Sequence, residues 1–345
     1  MSTGALLEHA RDTTRLMRRL VCLTIAAAMT LLLGVPAASA QGAWTALAPV
    51  PSVGDGVEGM QVARVGNVIV AAYGFDNAIG DTNATRIYHI DTDAWSTGAS
   101  APLPERSEGT GVTKAGAVYA IGGRGPDGVL ADIDRYRPAS NTWVSLPDMP
   151  TPRAGLAAAV VGRAIYVIGG RDSGGGPCSQ APGGQLATVE RFDIPTRTWT
   201  TVARLPSARS DLGAIAHGGK IYVFGGCRVK RDFSITFLDD VDVYNPRTNR
   251  WSTAPADLPT ARAAMYGVGR KGGRIYVIGG WSGGGPLGTN EFYRVAADTW
   301  GTAAPMLTAR AEMGVASRGG RIYTVGGALP AFGASSNANE VFKPR

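Results

Sequence analysis

Histidine, cysteine and charge are scarce in this chain, and each shortage excludes a class of function. The 345 residues include three histidines and three cysteines, and only 18% are Asp, Glu, Lys or Arg. Neither a Ser/His/Asp arrangement nor a Cys/His spacing typical of zinc sites is present, so we predict no metal centre and no hydrolase of the triad type. A dense Lys/Arg tract with interleaved aromatic residues is also missing, which argues against nucleic-acid binding.

Long apolar runs are missing after residue 41, so this part predicts no membrane span. Before it, three arginines ending at Arg19 precede an apolar run over 20–33, and an Ala-Ser-Ala cleavage site ends at Ala40. We therefore predict that residues 1–40 are a secretory signal peptide, with Met17 as a second candidate start. A membrane anchor is the alternative, although the run is short for a spanning helix. Export predicts a secreted or periplasmic protein.

Glycine is abundant, and pairs of it recur about every 50 residues, each after a β-rich run such as AIYVIGG or RIYVIGG. An arginine lies 17 or 18 residues before the second glycine of each pair, and a tryptophan follows most pairs. The glycine pairs are Gly122-Gly123, Gly169-Gly170, Gly225-Gly226, Gly279-Gly280 and Gly326-Gly327; the arginines are Arg106, Arg153, Arg209, Arg262 and Arg310; the tryptophans are Trp143, Trp199, Trp251 and Trp300, with Trp44 and Trp95 upstream. This period indicates one β-rich unit copied around an axis.

Each unit reads as four short strands, and the two ends of the exported chain complement each other. The first unit is degenerate, with Val57 at the arginine position and Tyr73-Gly74 in place of the pair. The last unit ends without its tryptophan strand, which the segment around Trp44 can supply, so we predict six units in a closed ring. The predicted boundaries are 52–101, 102–149, 150–205, 206–258, 259–306, and 307–345 plus 43–48.

Cys178 and Cys227 remain after signal cleavage, and each falls shortly after a glycine pair in consecutive units. Equivalent loops of neighbouring units should lie on the same face, and an oxidising compartment permits a bridge. We predict a Cys178–Cys227 disulfide, with two buried free thiols as the alternative. Removal of four arginines and two acidic residues with the signal leaves 30 basic and 25 acidic residues, a net charge of +5.

Taken together, these residues resemble the Kelch repeat, and the resemblance covers residues 43–345. Its features are the glycine pair, the tryptophan, and an aromatic residue in the third strand of a unit. We assign that aromatic residue to Tyr136, Phe192, Tyr244, Phe292 and Phe342. The resemblance implies an all-β, six-bladed β-propeller of four-stranded antiparallel blades, of a secreted bacterial type, with the N-terminal strand closing the last blade.

In such a ring the five repeated arginines would begin the innermost strands, around one mouth of the channel. Their guanidinium groups would favour an anionic ligand, and Trp281 could stack on a sugar or side chain beside them. Three acidic residues, Glu108, Asp211 and Glu312, lie two positions after an arginine. Ion pairs between each arginine and that neighbouring acid are the structural alternative.

We therefore interpret the chain as an exported, non-enzymatic recognition module without a cofactor, binding a protein or glycan. The contact surface would include the long loops 171–187 and 227–240. Alternatives are a lectin-like carbohydrate binder and a sialic-acid-type epimerase or mutarotase, with the three acidic residues as proton donors and acceptors. The copper radical oxidases of the family need two His, two Tyr and a Cys at one metal. His89 falls in a third strand and His217 in the turn of a first hairpin, away from the expected binding mouth, so we exclude that activity.

Overall fold

The computed structural model describes residues 42–178, 183–252, 255–330 and 334–345, and within these ranges it contains strands and turns but no helix. The predicted signal peptide and the centre of the long loop after Arg171 lie outside the described residues. Glycine-containing turns join short strands throughout, because glycine adopts the left-handed backbone that tight hairpins require.

The strands of the first half form three repeated sets. Each set has a hairpin of its first and second strands, a connecting loop, and a hairpin of its third and fourth strands; β1 precedes the first set. The strands are β1 Ala43–Ala46, β2 Val57–Glu58, β3 Gln61–Val65, β4 Val68–Ala72, β5 Phe75–Asp76, β6 Gly80–Asp81, β7 Thr85–His89, β8 Ala94–Thr97, β9 Thr110–Lys114, β10 Ala117–Ile121, β11 Arg124–Gly125, β12 Gly128–Val129, β13 Ile133–Arg137, β14 Thr142–Ser145, β15 Ala157–Val161, β16 Ala164–Ile168, β17 Val189–Asp193 and β18 Thr198–Thr201.

The second half repeats the pattern three more times. Its strands are β19 Gly213–His217, β20 Lys220–Phe224, β21 Cys227–Val229, β22 Ile235–Phe237, β23 Val241–Asn245, β24 Arg250–Ser252, β25 Gly269–Lys271, β26 Arg274–Ile278, β27 Trp281–Ser282, β28 Gly285–Pro286, β29 Asn290–Arg294, β30 Thr299–Ala303, β31 Gly314–Arg318, β32 Arg321–Val325 and β33 Asn339–Lys343.

These strands build six four-stranded antiparallel sheets within the described ranges. Five of them follow chain order, as in β3-β4-β7-β8, and the sixth has the order β1-β33-β32-β31. In that sheet Trp44 lies opposite Phe342, so the N-terminal strand completes the last sheet. The prediction of an all-β propeller of four-stranded antiparallel sheets is confirmed.

The sheets are arranged as a ring through their first strands. β3 contacts β9 on one side and β31 on the other, while β15 contacts both β9 and β19, and β25 contacts β31. Tyr222 of the fourth sheet packs with Val268 and Ile275 of the fifth in one apolar cluster. The core therefore lies between sheets, where the inward faces of neighbouring sheets bury their aliphatic and aromatic side chains.

Six tryptophans pack at the contacts between neighbouring sheets. Each stacks on the aromatic residue opposite it in the third strand, with ring centroids 4.9–5.3 Å apart, and each indole N–H donates to a backbone carbonyl of the preceding sheet or of the link that follows it. The acceptors are Ala304 for Trp44, Ala48 for Trp95, Ala99 for Trp143, Pro147 for Trp199, Ala203 for Trp251 and Ala256 for Trp300.

One assignment within this pattern was wrong. We assigned the repeated third-strand aromatic residue of the fifth unit to Phe292, but the residue opposite Trp300, equivalent to the aromatic residues of the other units, is Tyr293. Phe292 points to the other face of the sheet, because successive strand residues alternate sides. There it stacks on Tyr276.

Antiparallel order gives the ring two different faces. The loop face carries the links between sheets and the second-to-third-strand loops. The hairpin face carries the turns between first and second strands and between third and fourth strands. The first-to-second-strand turns, each taken with two flanking strand residues on either side, are 64–69, 113–118, 160–165, 216–221, 270–275 and 317–322. The outer turns, taken in the same way, are 88–95, 136–143, 192–199, 244–251, 293–300 and the segment 342–345.

Candidate functional site

At the centre of the loop face, one position of each unit adopts the same unusual backbone conformation. It lies two residues after the repeated arginine, and its φ angle is between 54° and 61° in all six units. Glutamate, aspartate and alanine rarely occupy this left-handed region. The six residues are Gly59, Glu108, Gly155, Asp211, Ala264 and Glu312.

These six positions are joined by backbone hydrogen bonds into a closed circle around the axis. Each N–H donates to the carbonyl of the equivalent residue in the preceding unit, and Met265 replaces Ala264 as donor in the fifth. The bonds are Gly59 N to Glu312 O at 3.1 Å, Glu108 N to Gly59 O at 2.9 Å, Gly155 N to Glu108 O at 2.9 Å, Asp211 N to Gly155 O at 2.6 Å, Met265 N to Asp211 O at 3.5 Å, and Glu312 N to Ala264 O at 2.9 Å. The circle holds three carboxylates around one axis.

Arg171 bridges two of these carboxylates. Its Nη1 lies 2.8 Å from Asp211 Oδ1, and its Nη2 pairs with Glu108 Oε2. Arg124 contacts the same glutamate, with Nε 3.3 Å from Oε1, and the Tyr266 hydroxyl donates to Asp211 at 3.2 Å. The Arg171 side chain is fully buried, so an arginine crosses the centre of the ring beneath the loop face.

Gly155 makes room for this bridge. A Cβ atom at this position would collide with Arg171 Nη1 and with Asp211 Oδ1. The carboxylate and guanidinium therefore meet in the space that a side chain on the third unit would otherwise fill.

The disulfide lies against the same aspartate. Cys178 and Cys227 are bonded, with an S–S distance of 2.07 Å and Cα atoms 5.9 Å apart. The Cys178 N–H and the Ser210 hydroxyl both donate to Asp211 Oδ2, at 3.1 and 2.8 Å. Although both sulfurs are close to this carboxylate, their bond removes the thiolates that a metal would need.

Burial perturbs the acid–base chemistry of this cluster. It raises the pKa of Glu312 well above its ordinary value of 4.5, and the charges of Glu58 and Asp211 add to this effect. Burial also raises the pKa of Glu58, although a hydrogen bond from Ser335 acts to lower it. For Arg171, burial acts to lower the pKa, but the charge of Asp211 and the interactions with Tyr266 and Glu312 together outweigh burial, and the pKa is raised. The arginine stays charged while Glu312 holds its proton more tightly than usual.

The five repeated arginines are not where we predicted them. Their exposed fractions are 0 or 1%, and each forms an ion pair with an acidic residue in the third strand of its own sheet. The pairs are Arg106–Asp134 at 2.7 Å, Arg153–Glu190 at 2.8 Å, Arg209–Asp242 at 2.6 Å, Arg262–Glu291 at 2.5 Å and Arg310–Glu340 at 3.3 Å. The predicted placement of these arginines around an open mouth was wrong, because their guanidinium groups turn into the sheets. That they bind a ligand stays a prediction.

The arginines also hold the glycine pairs. Arg153, Arg209, Arg262 and Arg310 each donate from Nη1 to the carbonyl of the first glycine in their own unit. Their carbonyls in turn accept the N–H of the second glycine of the preceding unit. Each arginine thus ties its own sheet together and links it to its neighbour.

The first unit loses both partners of this pair. Val57 stands at the arginine position, and Arg86 occupies the strand position where the other units have the acid. Arg86 donates instead to the carbonyls of Pro51 and Tyr73. The missing arginine and the missing acid therefore compensate each other.

The three predicted acidic residues converge, but with different partners from those we expected. Glu108, Asp211 and Glu312 do not pair with the arginines two residues before them, since left-handed backbone turns these carboxylates towards the axis. Trp281 lies on the loop face, half-buried, and its backbone pairs with Ala263. Arg124, Arg171, Glu58 and Tyr266 were missed. The signal for the two arginines was their position directly after a glycine pair.

The long loops form the outer part of the loop face. The 227–240 loop is a hairpin of β21 and β22, and its tip exposes Phe233 to 71% and Ile235 to 46%. Seven large apolar side chains are exposed in the described ranges, and six of them lie on this face. The seven are Val53, Ile79, Leu103, Val144, Phe233, Ile235 and Leu307, of which only Val144 lies elsewhere, on β14.

A cavity of about 360 Å³ fills the channel between the first strands. It extends from Tyr266 and Leu212 at the loop end to Arg64 and Arg270 at the hairpin end. The buried bridge of Arg171 lies at the loop end of this channel, since Tyr266 contacts both the cavity and Asp211. No helix among the described residues is long and apolar enough to cross a membrane.

Known proteins match this chain over much of its length. Residues 147–327 match the family model described as the KLHDC2/KLHL20/DRC7 Kelch-repeats domain, and residues 105–150 match the Kelch motif. The Kelch repeat and BTB domain-containing protein 1 of ectromelia virus (strain Moscow) is 29% identical over 245 residues, 69% of this chain and 40% of the viral protein. Kelch-like protein 25 of Xenopus tropicalis is 31% identical over 202 residues, 56% of this chain and 32% of that protein.

A human relative matches in the same way. Kelch-like protein 34 of Homo sapiens is 28% identical over 218 residues, which are 59% of this chain and 32% of the human protein. The chain thus spans less than half the length of these relatives. They come from a virus, a frog and a human, and they give no support to the bacterial type that we expected.

Proposed function

Because the chain belongs to the Kelch-repeat family, we propose that its propeller is a recognition module whose loop face binds a protein partner. The observation that carries this proposal is the placement of the large exposed apolar side chains: of the seven found in the described part of the chain, six lie on the loop face. Such side chains are costly to leave in water and mark binding surfaces when they share one face. The protruding tip at Phe233 and Ile235 provides the largest apolar projection.

The charge of the same face specifies the partner further. Exposed acidic residues outnumber exposed basic ones there, seven to four, so a basic partner segment that also carries apolar side chains complements it. The acidic residues are Asp55, Asp127, Asp148, Asp172, Asp232, Asp239 and Asp257, and the basic ones are Arg204, Arg228, Lys230 and Arg231. This replaces the anionic ligand of our sequence analysis.

The central cluster supports this surface from beneath. Two loops are held at one point by Arg171, Asp211 and the disulfide. They are the start of the 171–187 loop and the start of the β21–β22 hairpin. Rigid loops lose less conformational entropy on binding, which favours affinity. We therefore assign the buried carboxylates a positioning role in recognition rather than a catalytic one.

Export remains part of the proposal, supported by the predicted signal peptide before residue 41 and by the disulfide between Cys178 and Cys227. Disulfides persist mainly in oxidising compartments, which fits a secreted or periplasmic location. Mass spectrometry of the protein from its native host tests this. A mature N-terminus at Gln41 supports export, and an intact N-terminus with reduced thiols contradicts it.

The carbohydrate alternatives have weaker support. An epimerase for sugar acids needs free guanidinium groups to hold the substrate carboxylate, and Arg106, Arg209 and Arg310 are engaged inside their sheets. A lectin commonly stacks sugars on exposed aromatic faces, and Trp281 is half-buried. A glycan array tests the lectin, and proton NMR of N-acetylneuraminate anomers with and without the protein tests the epimerase or mutarotase.

Selection of a displayed random peptide library on the immobilised protein tests protein recognition. We expect selected peptides to be rich in Lys, Arg and apolar residues, and the double substitution Phe233→Asp/Ile235→Asp to weaken their binding about tenfold or more. Val144→Asp is the matched control, since it replaces an exposed apolar residue outside the loop face. Equal binding to both variants would contradict the proposal, as would a glycan-array signal without peptide selection.

A further inference from the structure

The hairpin face carries a concentration of positive charge that the proposed function does not use. Its six first-to-second-strand turns hold nine Lys or Arg residues and not one Asp or Glu. All nine side chains are exposed or partly exposed. They are Arg64, Lys114, Arg163, Lys220, Arg270, Lys271, Arg274, Arg318 and Arg321. These turns surround the hairpin end of the channel.

The outer turns of the same face extend this charge. They add seven basic residues and four acidic ones. The basic residues are Arg137, Arg197, Arg247, Arg250, Arg294, Lys343 and Arg345, and the acidic ones are Asp91, Asp93, Asp193 and Asp298. Two of the acids neutralise part of the inner set, Asp193 with Arg163 and Asp91 with Arg318. The four acids together can offset only a quarter of the sixteen basic side chains.

The two faces are therefore opposite in character. On the loop face many basic side chains are buried in ion pairs and exposed acids dominate, whereas on the hairpin face not one of the sixteen basic residues is buried. The six exposed apolar side chains of the loop face have no counterpart here among the described residues. Any ligand of the hairpin face must be held by charge rather than by apolar insertion.

We propose that the hairpin face binds the anionic surface of a phospholipid membrane. Antiparallel order brings all the inner and outer turns to the same end of the ring, so their charges spread over two dimensions, as lipid phosphates do. Several Lys and Arg side chains at an anionic bilayer act together within about one Debye length, roughly 10 Å. The absence of exposed apolar groups in the described part of this face predicts reversible, salt-sensitive adsorption without insertion.

Nucleic acid fits this face less well. A duplex or single strand is a line of charge and would contact only a strip of the ring of turns. Single strands are usually held by exposed aromatic platforms. Within the described ranges, the large exposed apolar side chains include one aromatic residue, Phe233, on the opposite face. The membrane-bound orientation also leaves the loop face free for its partner.

Vesicle sedimentation with the full chain tests the proposal. The measured quantity is the ratio of binding to vesicles of 7:3 phosphatidylcholine and phosphatidylglycerol over binding to pure phosphatidylcholine. We expect the ratio to fall about tenfold or more in the triple variant Lys220→Glu/Arg270→Glu/Arg321→Glu, and in the unsubstituted protein at about 0.5 M salt. All three side chains are exposed in turns, so thermal unfolding should show that the fold is kept.

The matched control is Arg204→Glu/Arg228→Glu/Arg231→Glu, which makes the same change in net charge on the loop face. It should keep the ratio within about twofold. Equal losses of the binding ratio in both variants would mean that net charge alone determines vesicle binding, and this would overturn the proposal. Binding to duplex DNA more tightly than to anionic vesicles of equal charge concentration would also overturn it, in favour of a linear polyanion.

Discussion

One buried, repeated arginine stabilises the internal structure of each sheet except the first. All five neutralise a third-strand acid in the same sheet, and all but Arg106 also donate to the carbonyl of a glycine pair. Burial lowers the pKa of Arg262, and the charge of Glu291 opposes that shift. Such a pair contributes little net stability over an apolar pair, but loss of one partner leaves a buried charge without compensation.

Glu291→Gln should therefore destabilise the fold by about 3–5 kcal/mol, measured as the free energy of unfolding in guanidinium chloride. The amide keeps the shape of the side chain but leaves the Arg262 charge buried and unneutralised. Asp257→Asn, which removes an exposed acid of the loop face, should change stability by less than about 0.5 kcal/mol. The interpretation fails if the two variants are equally stable.

Glu312 makes stability depend on pH in the opposite sense from a salt-bridged carboxylate. Its pKa is raised on folding, so the folded state holds a proton that the unfolded state loses above the ordinary value of 4.5. The free energy of unfolding then falls as pH rises from that value towards the raised pKa.

Glu312→Gln should remove this loss, so the stability of the variant relative to the unsubstituted protein should improve as the pH rises above 4.5. Chemical denaturation at several pH values measures the difference. Glu105→Gln, which changes a partly exposed glutamate of the same face, serves as the control. A constant difference between Glu312→Gln and the parent across this range would contradict burial as the cause.

Residue roles were only partly predictable from the sequence. The spacing of 17 or 18 residues identified the arginines as equivalent, but their acidic partners follow after 28 to 37 residues, across loops of different length. The acid always stands two positions before the strand aromatic, as in Glu190 and Phe192. That pattern is visible only when the aromatic register is known, and the adjacent Phe292 and Tyr293 made the register ambiguous.

At the scale of strands and turns, residues with a left-handed backbone occur both in ordinary hairpin turns and in the axial circle of the candidate site. Gly155 lies in the axial circle with φ of 58°, and Gly162 lies in a hairpin turn with φ of 61°. A side chain at Gly155 would strike Arg171 and Asp211, whereas nothing lies within 4 Å of the Cβ position at Gly162. The two glycines thus differ only in what surrounds them.

Gly155→Ala should cost about 2 kcal/mol or more beyond Gly162→Ala, which should cost about 1 kcal/mol for its backbone alone. Thermal or chemical unfolding of the two variants gives the comparison. Similar losses would mean that the bridge between Arg171 and Asp211 shifts without cost, and that the centre of the ring is adaptable.

Elements were predicted better than their contacts. Glycine pairs, alternating apolar residues and tryptophans are local signals, and they indicated the four-strand unit. The β21–β22 hairpin and the bridge of Arg171 depend on how a loop folds over the axis. Loop conformation is set by tertiary contacts rather than by local propensity, so these features could not be read from the chain.

For the whole molecule, closure of the ring depends on Trp44. Its ring lies 5.1 Å from that of Phe342, and its indole N–H donates to Ala304 at 2.7 Å. This closure was predictable, because the last unit has no tryptophan strand of its own and the segment around Trp44 supplies one. The separation of charge between the two faces was not predicted, because it requires knowing to which face each turn belongs.

Trp44→Ala should lower the free energy of unfolding by about 2–3 kcal/mol and speed hydrogen exchange in β31–β33. Trp281→Ala removes an equally large side chain on the loop face, outside the six contacts between neighbouring sheets, and should cost about 1 kcal/mol or less. If both variants cost the same, the strand at Trp44 does not close the ring.

The pairing of β1 with β33 also fixes how the molecule responds to tension. Ala43 lies opposite Lys343, so a pull applied at these two residues loads the antiparallel ladder from one end. The bonds then break one after another, as in a zipper, instead of sharing the load as in shear. We expect the ring to open at low force where β1 pairs with β33, and the sheets on either side of this point to separate first.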